Sequence, residues 1–257
     1  MAASYEVFRA LHYSNQLLVL PNVWDAQSAL RFQVSYKAIG TSSSAVAGSL
    51  GYEDGENMSF EEYLFVIKRI VAVAKVPVTV DLEMGYGATV QEIARNILTL
   101  AQLGVAGINI EDSVIQASQR TLGDAVAFAD NIRFIKEQLV AAGKNVFINI
   151  RCDTYLLDVE GKQQETEKRL LLYNTTGADG IFLPCITEKP AITASVNVSE
   201  LPLNVMCYPG LPSFVTLQQL GVKRVSMGPF VFSKAYENAT LLTGQILEAG
   251  SFAPVLS

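Results

Sequence analysis

Val76-Pro77-Val78-Thr79-Val80-Asp81-Leu82-Glu83 is a short apolar run that ends in two carboxylates one residue apart, and Met84-Gly85-Tyr86-Gly87 follows it. A Val-rich run of this length reads as a buried strand. Side chains alternate faces along a strand, so Asp81 and Glu83 point the same way. A second run, Val105-Ala106-Gly107-Ile108-Asn109-Ile110-Glu111-Asp112, also finishes in acid. Two buried strands that both end in carboxylates imply a divalent cation at one end of a sheet, because clustered buried carboxylates are costly without one.

Working outward, the same rhythm of apolar strand, polar tip and helical segment recurs. Strands are expected at Leu17–Pro21, Tyr36–Thr41, Val76–Glu83, Val105–Glu111, Asn145–Arg151, Gly180–Pro184, Leu203–Cys207 and Arg224–Met227. Helical periodicity covers Phe60–Ala74, Val90–Leu103, Ala125–Ala142 and Glu165–Thr176, with Gly104, Gly143 and Gly177 as stops. Eight βα units predict an α/β fold of the (β/α)8 TIM-barrel type, formed by residues 1–257 as one domain. A doubly wound open sheet is the competing architecture, but Gly85-x-Gly87 lacks the third glycine of a dinucleotide loop. The segment 229–248 reads as an apolar C-terminal helix that either closes the barrel on its own chain or docks on a neighbouring subunit.

Composition narrows the function. Half of the 257 residues are hydrophobic, 17% are charged, and the net charge is -6. No basic stripe is present, so nucleic acid is not an expected partner. No apolar stretch approaches the ~20 residues of a membrane span. Met1-Ala2-Ala3-Ser4-Tyr5-Glu6 lacks the charged-then-apolar pattern of a signal peptide. Cys152, Cys185 and Cys207 have no CxxC spacing and read as reduced structural thiols of a cytoplasmic protein. The Asn-x-Ser/Thr triplets at Asn174, Asn197 and Asn238 are read as chance matches.

Barrel chemistry gathers at the C-terminal ends of the strands. Those ends carry Asn22, Trp24 and Asp25; Thr41, Ser42, Ser43 and Ser44; Asp81 and Glu83; Glu111 and Asp112; Arg151 and Asp153. Asn109 shares parity with Glu111, and Asn149 with Arg151 and Asp153, as inward-facing positions require. Oxygen ligands without nearby histidine favour Mg²⁺ or Mn²⁺ over zinc. The one histidine, His12, lies before the first strand, which argues against a Ser-His-Asp triad. Arg151 either grips a substrate carboxylate or forms an internal salt bridge with Glu111 or Asp153. The Thr41–Ser44 run either presents N–H groups to an anion or is an ordinary polar loop.

Taken in order, Pro21-Asn22-Val23-Trp24-Asp25-Ala26, Thr41-Ser42-Ser43-Ser44, Gly48-Ser49-Leu50-Gly51-Tyr52-x-Asp54-Gly55, Asp81-Leu82-Glu83-x-Gly85-Tyr86-Gly87, Gly107-Ile108-Asn109-Ile110-Glu111-Asp112 and Asn149-Ile150-Arg151-x-Asp153-Thr154 resemble the isocitrate lyase/phosphoenolpyruvate mutase superfamily. The likeness continues through Gly177-Ala178-Asp179-Gly180-Ile181-Phe182 and Val225-Ser226-Met227-Gly228-Pro229, and is strongest to the small phosphonomutase-like members. It implies a barrel, a Mg²⁺ ion, an α-keto acid or its enolate, and a homo-oligomer, dimer or tetramer, whose last helix is exchanged between subunits. By position it assigns Asp54, Asp81, Glu83 and Glu111 to the metal shell, partly through water. Ser42 and Ser43 match the backbone N–H groups that bind the substrate carboxylate, and Arg151 the substrate-contacting arginine. Trp24 and Asp25 match the pocket floor; Arg151, Asp54 and Glu111 are the catalytic candidates.

Two departures matter. Lyases of this superfamily carry a Lys-Arg/Lys-Cys-Gly-His loop after the fourth strand, whereas Ser113–Gly123 has neither Cys nor His. Pro184 stands where active members place Glu or His. The expected function is a Mg²⁺-dependent lyase cleaving a C–C or C–P bond of a small α-keto or α-hydroxy acid. Oxaloacetate decarboxylation fits, since it needs an electron sink and little acid/base help. The alternative is a keto-acid-binding protein without turnover. A Schiff-base aldolase lacks a lysine inside strands five to seven.

Overall fold

The computed structural model describes residues 4–117 and 119–256. Its main sheet has parallel strands β1 (Leu18–Leu20), β2 (Asn22–Val23), β3 (Ile39–Thr41), β4 (Val78–Asp81), β5 (Gly107–Glu111), β8 (Phe147–Arg151), β9 (Gly180–Phe182), β10 (Leu203–Met206) and β11 (Arg224–Ser226); β6 (Ser113–Gln116) and β7 (Gln119–Leu122) form a separate antiparallel hairpin. The order runs β1-β11-β10-β9-β8-β5-β4-β3-β2. Only Pro21 separates β1 from β2, so the sheet begins and ends on two halves of one strand and closes on itself. Pro21 has no N–H to donate, and the ladder changes partner there. The Leu20 carbonyl accepts from Met227 N–H (3.2 Å), and the Pro21 carbonyl from Gly40 N–H (3.0 Å). This is the eight-station TIM-type barrel that the strand rhythm predicts.

Helices cover the outside. Phe60–Val73 and Val90–Gln102 each start with a capping box, Ser59 with Glu62 and Thr89 with Glu92, which satisfies N–H groups that a helix start leaves open. Their inner faces bury Ile67, Ile70, Ile97 and Leu100 completely. Each such side chain is worth roughly 1.5–3 kcal/mol of burial. The helix Ser4–His12 plugs the N-terminal end of the barrel. Phe8 and His12 pack on Phe147 at the start of β8, with His12 stacked at 4.2 Å between ring centroids.

Three regions differ from the sequence reading. Ser43–Leu50 is a helix rather than a loop, capped by Ser42 Oγ accepting from Ala45 N–H at 3.3 Å. Ser113–Gln116 and Gln119–Leu122 pair as the antiparallel β6–β7 hairpin. Strand β4 ends at Asp81, so Glu83 is placed by a turn and not by the pleat. The C-terminal helix forms as Phe230–Ala249 and buries none of its residues.

Candidate functional site

Asp81 is held through both its backbone and its carboxylate. Thr41 Oγ1 accepts its backbone N–H (3.0 Å), and the Tyr63 hydroxyl donates to its carbonyl (2.7 Å). Its carboxylate accepts from Ser43 N–H (3.3 Å) and Ser43 Oγ (3.0 Å) at Oδ2, and from Asn109 Nδ2 (3.2 Å) at Oδ1. Tyr63, wholly buried in a helix, carries no polar pattern in sequence that would mark it for this role.

Glu83 sits in left-handed backbone (φ 52°) and is 2% exposed. Its carboxylate accepts from Glu56 N–H (2.9 Å) and Tyr86 OH (2.7 Å), while Glu56 accepts from Tyr86 N–H (2.7 Å). The two loops therefore clamp each other. Gly85 allows the turn: its φ is 111°, and a Cβ there would lie 2.6 Å from Ile93. Burial, then the charge of Asp54, pushes the Glu83 carboxyl up to about 7. Asp54 keeps a solvent-facing edge at the pocket mouth. The protein packed around its carboxyl, and then the Asp81 charge, push it up as well.

Across the pocket lies a balanced ionic cluster. Arg151 Nε donates to Asp153 Oδ1 (2.6 Å), and its Nη1 is 3.0 Å from Glu111 Oε2. Burial alone would lower the guanidinium's pKa; Asp153, Asp81 and Asp54 overrule it and raise it. Arg120, carried in by β7, contacts Glu111 and donates to Ser113 Oγ (2.9 Å). Both readings of Arg151 thus have a counterpart: it forms the internal salt bridges and also lines the pocket. Asp112 faces the other way, accepting from Arg169 Nη1 (2.9 Å) and Tyr173 OH (2.8 Å) among the helices. Cys152 is buried on that outer side too.

The pocket itself is a cavity of about 200 Å³ at the C-terminal end of the strands. Asn22, Ser42, Ser43, Ser44, Asp54, Asp81, Asn109, Arg120 and Arg151 form its polar side; Leu156, Phe182, Pro184, Met206 and Pro229 form an apolar wall. Ser42 and Ser43 reach it at the start of the Ser43–Leu50 helix, where N–H groups face outward. Both N–H groups are engaged, Ser42 with the Val23 carbonyl and Ser43 with Asp81, each at 3.3 Å.

Trp24 and Asp25 are not among the residues that line this cavity. Asp25 caps the helix Ala26–Phe32, accepting from Ser28 N–H at 2.6 Å. Trp24 packs edge-on against Phe32 and Phe232. Two polar residues at the pocket, Asn22 and Asn109, are better placed than the sequence reading of roles allowed. Asn22 accepts from the N–H groups of Met227 (2.9 Å) and Gly228 (2.8 Å), tying the last strand end to the first.

Among the described residues, Asp54, Asp81 and Glu83 have no lysine or arginine in ion-pair contact, whereas Glu111 and Asp153 share two arginines. The unpaired trio is all oxygen and raised in pKa at Asp54 and Glu83, which is the chemistry of a hard-cation site. No three acidic, histidine or cysteine side chains converge closely enough for a dry cage among the described residues. The donor set therefore fits a magnesium-type ion that keeps much of its water shell, which is that ion's habit.

The profile of the family described as phosphoenolpyruvate phosphomutase matches residues 8–247. The 2-methylisocitrate lyase of Salmonella typhimurium is 29% identical over 234 residues, 89% of this chain and 78% of that protein. The oxaloacetate decarboxylase of Pseudomonas aeruginosa is 29% identical over 231 residues, 86% of this chain and 78% of that protein. A crystal structure from Burkholderia cenocepacia, provisionally named a phosphonomutase, superposes with a TM-score of 0.87 at 33% identity, covering 94% of this chain and 98% of that one. With the barrel, the carboxylates at its mouth and these likenesses together, the chain belongs to the phosphoenolpyruvate mutase family of the isocitrate lyase/phosphoenolpyruvate mutase superfamily.

Proposed function

We propose that the protein is a Mg²⁺-dependent lyase that breaks a C–C or C–P bond of a small α-keto acid through an enolate. The observation that carries it is that Asp54 and Asp81, with no lysine or arginine in ion-pair contact among the described residues, line one cavity sized for a few-carbon acid together with Arg151 and the Ser42–Ser44 turn, with Glu83 buried behind them. Asp81, with Asp54, Glu83 and Glu111, would hold the ion. When bound, it supplies Lewis-acid stabilisation of negative charge on the carbonyl oxygen.

The chain's own groups do the rest. The Ser44 N–H and the Ser42 and Ser44 hydroxyls at the start of the Ser43–Leu50 helix would receive the substrate carboxylate, because the Ser42 and Ser43 N–H groups are already engaged. Arg151, fixed by Asp153, faces the charge that develops as the bond breaks. For oxaloacetate, the bond between the methylene carbon and its carboxylate breaks, carbon dioxide leaves, and the electron pair stays on the enolate of pyruvate. That carbon then takes up a proton. The apolar wall of Leu156, Phe182, Pro184 and Met206 offers no acid or base, which suits decarboxylation better than a step needing a positioned proton donor. The same wall favours the second reading, a keto-acid-binding protein without turnover.

Pyruvate release from oxaloacetate, phosphonopyruvate, methylisocitrate and dimethylmalate, with and without Mg²⁺, tests this. Turnover should require the metal and vanish in Asp81→Ala. No turnover on any member, with oxalate and Mg²⁺ still binding together, would instead establish the binding-protein reading.

The assembly is inferred to be a homo-oligomer. Phe230–Ala249 buries none of its residues and exposes Tyr236, Leu241 and Leu247 at 53%, 64% and 83% on more than one side, apolar surface that a second copy would cover. Leu241→Glu should then lower the mass seen by light scattering; an unchanged mass would sink that assignment. Among the described residues no helix is long and apolar enough to cross a membrane, and the three free cysteines support a cytoplasmic setting.

A further inference from the structure

Arg224 opens β11 and is 0% exposed, yet among the described residues no carboxylate pairs with it. Among the described residues its guanidinium makes one hydrogen bond, from Nη2 to Asn109 Oδ1 (3.0 Å), and Nε and Nη1 have no partner. Burial pulls the guanidinium down to about 10, against the pull of Asp81, so it remains charged at neutral pH. A buried, unpaired charge is expensive and needs a reason.

The reason lies one link further on. Asn109 Nδ2 donates to Asp81 Oδ1 (3.2 Å). A guanidinium can only donate, and a carboxylate can only accept. Arg224 therefore fixes which end of the Asn109 amide faces it, and thereby turns the amide N–H towards Asp81. A flipped amide would set donor against donor and oxygen against carboxylate. Two more amides support this strut. Asn149 Nδ2 donates to Asn109 Oδ1 (2.9 Å), and Asn204 Nδ2 to Asn149 Oδ1 (2.6 Å). Asn204 on β10 reaches Asn149 on β8 past Gly180 of β9, where a Cβ would lie 2.7 Å from Asn149 Oδ1. The chain of bonds spans the barrel from β11 to β5 to β4.

We propose that Arg224 is a positioning residue: acting through Asn109, it holds the Asp81 carboxylate in the orientation that receives the divalent cation. This rests on the metal-dependent reading of the site. Outer-shell partners of metal ligands commonly tune affinity by 10–100-fold.

Mn²⁺ titration by calorimetry tests it in wild type, Arg224→Met, Arg224→Lys, Asn109→Ala and the Arg224→Met/Asn109→Ala double variant, each checked for folding by circular dichroism. Arg224→Met and Asn109→Ala should each weaken Mn²⁺ binding about tenfold. The double variant should bind no worse than the weaker single variant, because both cut one path. Arg224→Lys, which keeps the charge, should recover part of the loss. A folded Arg224→Met protein that binds Mn²⁺ as wild type does, or losses that multiply in the double variant, would overturn the proposal alone. If Arg224→Met does not fold, Asn109→Ala decides, since it cuts the link and keeps the arginine. A wild-type protein that binds no Mn²⁺ overturns the metal reading and the strut with it.

Discussion

The two ends of the barrel interior carry opposite electrostatic problems. At the mouth, Asp54 and Asp81 line the pocket, and Glu83 behind them is pushed up to about 7 by burial and then by the charge of Asp54. At the floor, Arg224 is buried with no carboxylate in ion-pair contact among the described residues, and burial, then the Arg224 charge, pushes His12 down to about 3. The mouth keeps its carboxylates within reach of a pocket, so an incoming cation can relieve them. The floor is sealed by Phe8 and Phe147, so its histidine is relieved only by staying neutral. Asn109 joins the two, with the guanidinium on one side and Asp81 on the other. The same barrel thus presents one end as a site and uses the other to brace it.

The largest expected effect breaks the mouth. Asp81→Ala should cut metal-dependent kcat/KM by about 10³-fold, roughly 4 kcal/mol of transition-state stabilisation, in the pyruvate assay. Retention of activity within tenfold would remove Asp81 from the centre of the site.

The next effect belongs to the floor. His12 Nδ1 lies 2.9 Å from the Phe8 carbonyl, so it carries the proton of a neutral ring. The folded protein refuses the second proton until about pH 3, while the unfolded chain takes it up near 6.5. The stability that follows is complete above pH 6.5 and is lost as pH falls towards 3. At 1.36 kcal/mol per unit, acidification to pH 4 should cost about 3 kcal/mol from this group. Urea unfolding of His12→Phe should show a flatter acid limb than wild type, whatever its absolute stability. Parallel limbs would mean that His12 does not set it.

The smallest effect concerns the hairpin. Arg120 reaches the mouth and binds Glu111 and Ser113. Arg120→Ala should raise KM for a dicarboxylate about tenfold with kcat little changed, as expected for loss of a charged hydrogen bond. A fall in kcat at constant KM would instead make Arg120 part of the bond-breaking step.

Much of the barrel is legible because the strands are apolar runs with polar tips, and Gly104, Gly143, Gly177 and Gly221 stop the helices before four of them. Parity found Asp81, Asn109, Glu111 and Arg151 correctly as neighbours at one end. It could not find Arg224, since a three-residue strand gives too little alternation to separate inside from outside. The hairpin escaped because Val114 and Ile115 sit among glutamines without an Asn-Gly or Asp-Gly turn to announce it. Ser43–Leu50 escaped because serines, alanines and a glycine show little amphipathic contrast; only the Ser42 cap marks its start. Trp24 and Asp25 were legible as a strand end, but a helix cap and a strand-end ligand share the same residue types.

The seam at Pro21 sets the order in which this molecule can come into being. β1 finds its partner only at Arg224–Ser226, some two hundred residues later in synthesis. Asn22, at the pocket, waits for the N–H groups of Met227 and Gly228. A nascent chain can form the early βα units as it emerges, but loop closure of this span comes late and is entropically slow. Until the final strand arrives, the first one is an unpaired edge, and the acidic mouth has no far wall. The pocket is therefore among the last features to exist, completed by the strand whose arginine braces it.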